Sequence, residues 1–207
     1  MIAIINDKAI DFLKAREPNF RKIIQLYGLP DSWSRPPGFQ TLVQIILEQQ
    51  VSLNSARSTF EKLSDYVGEI SPAKLSPLTI DVMRSLSVSR PKARYILGLS
   101  ELIENGDFDL ESIPSLSIEE GYQRLISLKG IGPWTANIYL MFALQKQDIY
   151  PPGDIALINT IKEFWPDTNK DEIALKAQEW APYRSAACYL LWHFYLKSRG
   201  RIHPDEL

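Results

Sequence analysis

Leu128-Lys129-Gly130-Ile131-Gly132-Pro133-Trp134-Thr135-Ala136 stops one helix and starts another within a few residues. Upstream, Ser117-Ile118-Glu119-Glu120 fits a capping box, which opens a helix expected to run to about Leu128. Gly130 and Gly132 break the chain, and Pro133 restarts it at the first position of an apolar helix expected to continue through Leu144. Two glycines let the turn be tight and let another molecule come close to its backbone. Outward-pointing amides at the start of the second helix, together with the positive end of its dipole, form a nest that suits a phosphate. Thr135 can add a hydroxyl and Lys129 a charge. An ordinary hairpin of two helices has the same spacing, so the turn alone leaves both readings open.

Outward from the hairpin, almost every segment has helical periodicity and a recognisable cap. Pro18 and Gly28 bracket Phe20, Ile23, Ile24 and Tyr27. Asp31 to Gly38 contains Pro36-Pro37-Gly38 and cannot continue a helix. Phe39, Leu42, Val43, Ile46 and Leu47 then line one face of a helix that ends in Gln49-Gln50, and Ser52 caps the next, with Gly68 closing it. Ser71-Pro72 and Ser76-Pro77 each read as a cap followed by a first-turn proline, Ser89-Arg90-Pro91 opens a helix that Asn105-Gly106 ends, and Asp154 caps a helix to about Phe164. Pro182 is expected to open the last helix, toward Lys197. No stretch has the two-residue alternation of a strand, and there is no internal repeat. The fold class is therefore all-α.

Composition narrows the function. The 207 residues are 45% hydrophobic and 23% charged, close to globular averages, and no apolar run approaches the length of a membrane span. The start of the chain has no basic region and cleavage site of the secretory kind, so the expected location is cytoplasmic and nucleoid-associated, or nuclear in a cell with a nucleus. One cysteine, Cys188, excludes a disulfide framework, a four-cysteine zinc site and a cysteine-ligated iron–sulfur cluster within one chain. His193 and His203 are too few and too poorly spaced for a metal site, so none is expected. The net charge of −2 lacks the basic signature of most nucleic-acid binders, so any such site must be local or built from backbone dipoles.

The hairpin followed by Asp148-Ile149-Tyr150-Pro151-Pro152-Gly153-Asp154 resembles the signature of the helix-hairpin-helix (HhH-GPD) DNA glycosylase superfamily. Ile46-Leu47-Glu48-Gln49-Gln50-Val51-Ser52, Ser89 to Leu99, and Pro182-Tyr183-Arg184-Ser185 leading to Trp192 agree with it, so the likeness covers roughly residues 35 to 200. The branch it most resembles is the 3-methyladenine DNA glycosylase II type, in a compact form without the N-terminal β-domain of some members. The resemblance implies two helical lobes with the active site in the cleft between them. One lobe would be 38–145, with its helix-hairpin-helix at about 119–144, and the other 1–37 with 146–207.

It also implies roles. Asp154 would be catalytic, a fixed carboxylate that stabilises positive charge on the sugar as the N-glycosidic bond breaks and that positions or deprotonates the attacking water. Position 134 carries a nucleophilic lysine in members that also cut the DNA backbone. Here it is tryptophan, which implies hydrolysis without a Schiff base. Trp134, Trp192, Tyr183 and Tyr189 would line a base pocket, where aromatic faces attract cationic alkylated purines. Trp33, Trp165 and Trp180 are read as core. Gln49 would lie near the lesion and Gln50 would wedge into the stack once the base is flipped. Lys129, Gly130, Ile131, Gly132, Thr135, Ser52, Arg90 and Lys92 complete the expected DNA contacts.

The expected activity is that of a monofunctional glycosylase of base excision repair, which releases alkylated bases such as 3-methyladenine and 7-methylguanine from duplex DNA. The partner is double-stranded DNA with damaged bases, and the state a monomer. No cofactor is required, although family members can hold a monovalent cation on the hairpin carbonyls. Two alternatives stay open: a glycosylase for deaminated or oxidised bases, and a helix-hairpin-helix module that binds damaged DNA without cutting it.

Overall fold

Two helices are buried on nearly every side, and each organises one unit of the fold. The computed structural model describes residues 2–31, 33–169 and 172–203, and they fall into two units, Met1–Ser34 with Leu140–Leu207 and Arg35–Tyr139. Regular structure among the described residues is entirely helical. In chain order the helices are α1 (Asp7–Arg16), α2 (Pro18–Tyr27), α3 (Phe39–Glu48), α4 (Leu53–Val67), α5 (Pro72–Leu75), α6 (Ile80–Ser85) and α7 (Arg90–Glu104). After a 3-10 turn at Ile113–Ser115 come α8 (Ile118–Ile126), α9 (Pro133–Phe142), α10 (Ile155–Phe164), α11 (Ile173–Gln178) and α12 (Arg184–Lys197).

In the unit 35–139 the organising helix is α3. Phe39, Thr41, Leu42, Val43, Ile45, Ile46 and Leu47 are all buried, wider than the single stripe of a surface helix. It packs against α4 and α7, and α7 in turn carries α5 and α6. Thr41 tolerates burial because its hydroxyl donates to the Pro36 carbonyl at 2.6 Å. The other unit is organised by α12, whose residues Ser185 to Phe194 are buried without a break. It packs on α1, α2 and α10. Trp33 and Trp180 lie in this unit's core at 1% and 0% exposure, as expected of them, and Trp165 packs against Trp180 with ring centroids 5.7 Å apart.

The caps explain where expectation and structure part. The Ser117–Glu120 capping box is present. The helix it opens ends at Ile126 rather than about Leu128, because the Leu128 amide donates to Leu125 three residues back and tightens the chain into the turn. Helix α9 stops at Phe142, short of Leu144. Gln145, at φ +51°, reverses the chain there, and its Nε2 donates to the carbonyls of Met141 and Phe142, both at 3.1 Å. Ser71-Pro72 does start α5, but Ser76-Pro77 starts nothing. Ser76 closes α5, and α6 begins four residues later at Ile80, where the Thr79 hydroxyl accepts from the Val82 amide. Helix α12 begins at Arg184, beyond Pro182. Helices α1 and α11 had no expectation. Asn6 caps α1 by accepting from Ala9, and α11 is too short to show a period.

Candidate functional site

In the unit 35–139, the hairpin is built from the turn outward. Ile131 N–H donates to the Leu128 carbonyl at 3.1 Å and Ala136 N–H to the Gly132 carbonyl at 3.0 Å, which closes the turn and begins α9. Gly130 sits at φ +88°, and a Cβ there would come within 2.1 Å of the Tyr95 ring, so glycine is required by the protein's own packing. Gly132 has open space around it and is exposed, as are Lys129 and Pro133. Trp134 is half-buried in the first turn of α9.

Two hairpin residues expected to touch DNA do not present their side chains. Ile131 is 5% exposed and its amide is bonded within the turn. Thr135 is 2% exposed, and its hydroxyl accepts from Gln49 Nε2 at 2.8 Å. Gln49 joins the same contact. Its Nε2 donates to Thr135 and, at 2.9 Å, to the Gly130 carbonyl, so the amide expected near a lesion is tied to the hairpin.

The corner between α3 and α4 is anchored residue by residue. Lys92 Nζ donates to the Leu47 carbonyl at 2.8 Å, and Arg35 grips Glu48 with both side chains under 10% exposed, Nη2 to Oε1 at 3.0 Å and Nη1 to Oε2 at 3.2 Å. Burial pulls the Lys92 ammonium below its ordinary range, an effect that Glu48 opposes. Lys92 therefore holds the end of α3 through this bond. After these anchors Gln50 turns outward at φ +56°, exposed, beside Val51 at 45% exposure. Ser52 is exposed and caps α4 by accepting from Ser55 at 3.3 Å. Arg90 is exposed in the first turn of α7, where a cation gains nothing from the helix dipole.

In the other unit, Asp154 is half-buried at the N-cap of α10. Its Oδ1 accepts from the Leu157 amide at 2.9 Å and from Trp192 Nε1 at 3.1 Å. The preceding loop is zipped to the start of α12. Arg184 holds Asp148 through Nε at 2.7 Å and Nη2 at 3.0 Å, Ser185 Oγ donates to Lys146, and the Ile149 amide donates to Ser185 Oγ. Burial pushes the Tyr150 phenol and the Cys188 thiol above their ordinary ranges, with Asp154 among the negative charges that add to both. Tyr183 is half-buried, edge-on to Phe12 at 5.4 Å. Tyr189 is corrected from base pocket to core. It is 0% exposed, and its hydroxyl donates to the Trp33 carbonyl at 2.6 Å. Trp192 is 8% exposed.

No group of three or more His, Cys, Asp or Glu side chains that could hold a metal occurs among the described residues. Nor is any described helix long and apolar enough to cross a membrane. The Trp192–Asp154 and Gln49–hairpin bonds were missed from sequence, because partners 38 and 81 to 86 residues apart leave no local pattern.

The family model described as HhH-GPD superfamily base excision DNA repair protein matches residues 43–183, which includes the α3–α4 corner, the hairpin and Asp154. The chain belongs to the HhH-GPD superfamily. Among its relatives, DNA-3-methyladenine glycosylase of Bacillus subtilis is 27% identical over 184 residues, covering 82% of this chain and 59% of the relative. The chain thus spans about six-tenths of that protein's length. DNA-3-methyladenine glycosylase 1 of Schizosaccharomyces pombe is 27% identical, with 89% of this chain and 86% of the relative covered. The crystal structure of a DNA-3-methyladenine glycosidase from Bacillus halodurans superposes with a TM-score of 0.76 at 26% identity, covering 99% of this chain and 96% of that one. The likeness to the Bacillus halodurans structure extends along nearly the whole of both chains.

Proposed function

We propose that this chain is a monofunctional DNA glycosylase that hydrolyses the N-glycosidic bond of alkylated bases, of the 3-methyladenine and 7-methylguanine type, in duplex DNA. The observation that carries the reading is the carboxylate of Asp154, held by two N–H donors on one oxygen in a half-exposed position at a helix start. Fixed orientation is what electrostatic catalysis needs, because no reorganisation is then required as charge develops. The bond between sugar C1′ and the base nitrogen breaks with its electron pair leaving on the base, which an alkylated, cationic purine accepts readily. Asp154 stabilises the resulting cationic sugar and takes the proton of the water whose oxygen bonds to C1′. The product is an abasic site.

The names of the relatives support the alkylated-base assignment, and the tryptophan at 134 supports hydrolysis without strand cleavage, since it has no amine to form a Schiff base. In the unit that holds Asp154, Trp192 and Tyr183 offer aromatic surface to the base, and in the unit 35–139 Trp134 and exposed Lys129, Gly132, Gln50 and Arg90 offer contacts to DNA. A monovalent cation on the hairpin would have to share its carbonyls with bonds already made, since Leu128, Gly130 and Gly132 accept from Ile131, Gln49 and Ala136, and the role given to Asp154 does not depend on one. The protein would act as a monomer on double-stranded DNA.

The test is base release from methylated duplex by wild type and Asp154→Asn. Asparagine keeps the cap and both hydrogen bonds, so the change removes charge alone. Wild type should release 3-methyladenine or 7-methylguanine and leave strands intact until alkali, with the variant slower by about a hundredfold or more. Tight DNA binding by wild type without release of any base would instead establish a damaged-DNA binding module, and release confined to oxidised or deaminated bases would move the substrate class.

A further inference from the structure

The hairpin and the corner that carries Gln50 belong to one unit, and the Gln49 side chain joins them. Its Nε2 spans the two ends of the hairpin turn, donating to the Gly130 carbonyl at 2.9 Å and to Thr135 Oγ1 at 2.8 Å. The backbone of the residues just before it is immobilised by Lys92 on Leu47 and by the buried Arg35–Glu48 pair. The next residue, Gln50, is where the chain leaves helical geometry at φ +56° and becomes exposed. An amide in this position transmits geometry. It holds Gly130 and Thr135 at a set spacing, and it sets that turn in register with the corner one peptide away.

We propose that Gln49 is a positioning residue that couples the phosphate-binding hairpin to the base-extruding corner, and that it does not read the lesion. The inference rests on the glycosylase reading, because only a DNA-binding hairpin and an extruding corner need a common register. Gly130 offers a carbonyl, which can only accept, and Thr135 Oγ1 accepts from the same Nε2. A carboxylate of the same size could still accept from the Thr135 hydroxyl but cannot donate to Gly130, so it breaks the span between the two.

The experiment compares Gln49→Glu, Thr135→Val and their double variant with wild type in the full chain. It measures binding to undamaged and tetrahydrofuran-containing duplexes, and release rates for 3-methyladenine and 7-methylguanine from methylated duplex. Positioning predicts that each single variant weakens binding to both duplexes by the same factor, about tenfold, and leaves the ratio of the two release rates unchanged. The double variant should be no weaker than Gln49→Glu alone, and Thr135→Ser, which keeps the acceptor, should regain most of the binding lost in Thr135→Val. Thermal melting of Gln49→Glu and Thr135→Val within a few degrees of wild type confirms that folded proteins are compared. If either unfolds, Thr135→Ser against Gln49→Asn, whose shorter amide cannot span both acceptors, carries the same comparison. A changed ratio of release rates with unchanged binding to the tetrahydrofuran duplex would make Gln49 a lesion reader and overturn the proposal, as would wild-type binding in every variant. Failure of the wild type to release any base defeats the glycosylase reading instead, and that result is separate from either outcome.

Discussion

At the residue scale, two side chains do work that their identity alone conceals. Trp192 looks like one more aromatic, but its indole N–H holds the Asp154 carboxylate. Trp192→Phe keeps the ring surface and removes the donor. It should lower the release rate by about tenfold to a hundredfold through misorientation of the carboxylate. It should cost only about 1 kcal/mol of stability, read by single-turnover kinetics beside urea unfolding. Tyr139 is fully buried, its hydroxyl accepts from the Gly38 amide at 2.9 Å, and burial pushes its phenol up to about 12, with Gly38 opposing and Glu111 reinforcing. The native state thus holds this proton more tightly than the unfolded chain, whose tyrosines titrate near 10. The contribution is fully present below about pH 10 and is lost as pH rises toward 12. Stability followed by urea midpoint should therefore fall across that window more steeply in wild type than in Tyr139→Phe. That variant should start about 1 kcal/mol lower at neutral pH, because the Gly38 amide loses its acceptor.

At the element scale, the hairpin's two glycines serve different masters. Gly130 faces the protein, since its positive φ and the Tyr95 ring both exclude a Cβ. Gly132 faces outward with nothing near it. Gly130→Ala should lose roughly 2 kcal/mol or more, the sum of left-handed strain and overpacking, visible in denaturant unfolding. Gly132→Ala should unfold within about 0.5 kcal/mol of wild type. If the hairpin grips DNA as proposed, the added methyl at position 132 should nonetheless weaken duplex binding, so the two substitutions separate folding from recognition in one turn.

At the scale of the whole molecule, the 23 Lys and Arg are offset by 25 Asp and Glu, and the formal charge of −2 gives no net positive field to draw in DNA. Binding should therefore depend on salt more weakly than for strongly basic proteins, with most of the grip coming from backbone amides at helix starts. Lys129 is exposed on the hairpin, whereas Lys92 is bonded to Leu47. Lys129→Ala should flatten the slope of log affinity against log salt by about 0.9, one phosphate's share. Lys92→Ala should leave that slope unchanged while lowering stability, since it removes the group that holds the end of α3. Fluorescence anisotropy from 50 to 200 mM salt, roughly the span over which such slopes are read, measures both.

What the sequence determined by itself was whatever local chemistry encodes. Helical period and the absence of alternation set the all-α class. The Ser117–Glu120 box and the Asp154 cap were legible because a cap bond spans only three residues. The order of the motifs placed the chain in its superfamily, as the family match over 43–183 bears out. Which polar groups are already engaged depends on contacts made in three dimensions. Gln49, Thr135 and Lys92 have the chemistry of DNA contacts, and Tyr189 has the chemistry of a pocket wall. In the fold each finds a protein partner tens of residues away, and a buried donor or acceptor must take such a partner because water is not there to replace it. Helical spacing says which face a residue shares; it carries no record of which distant carbonyl or carboxylate that face will meet.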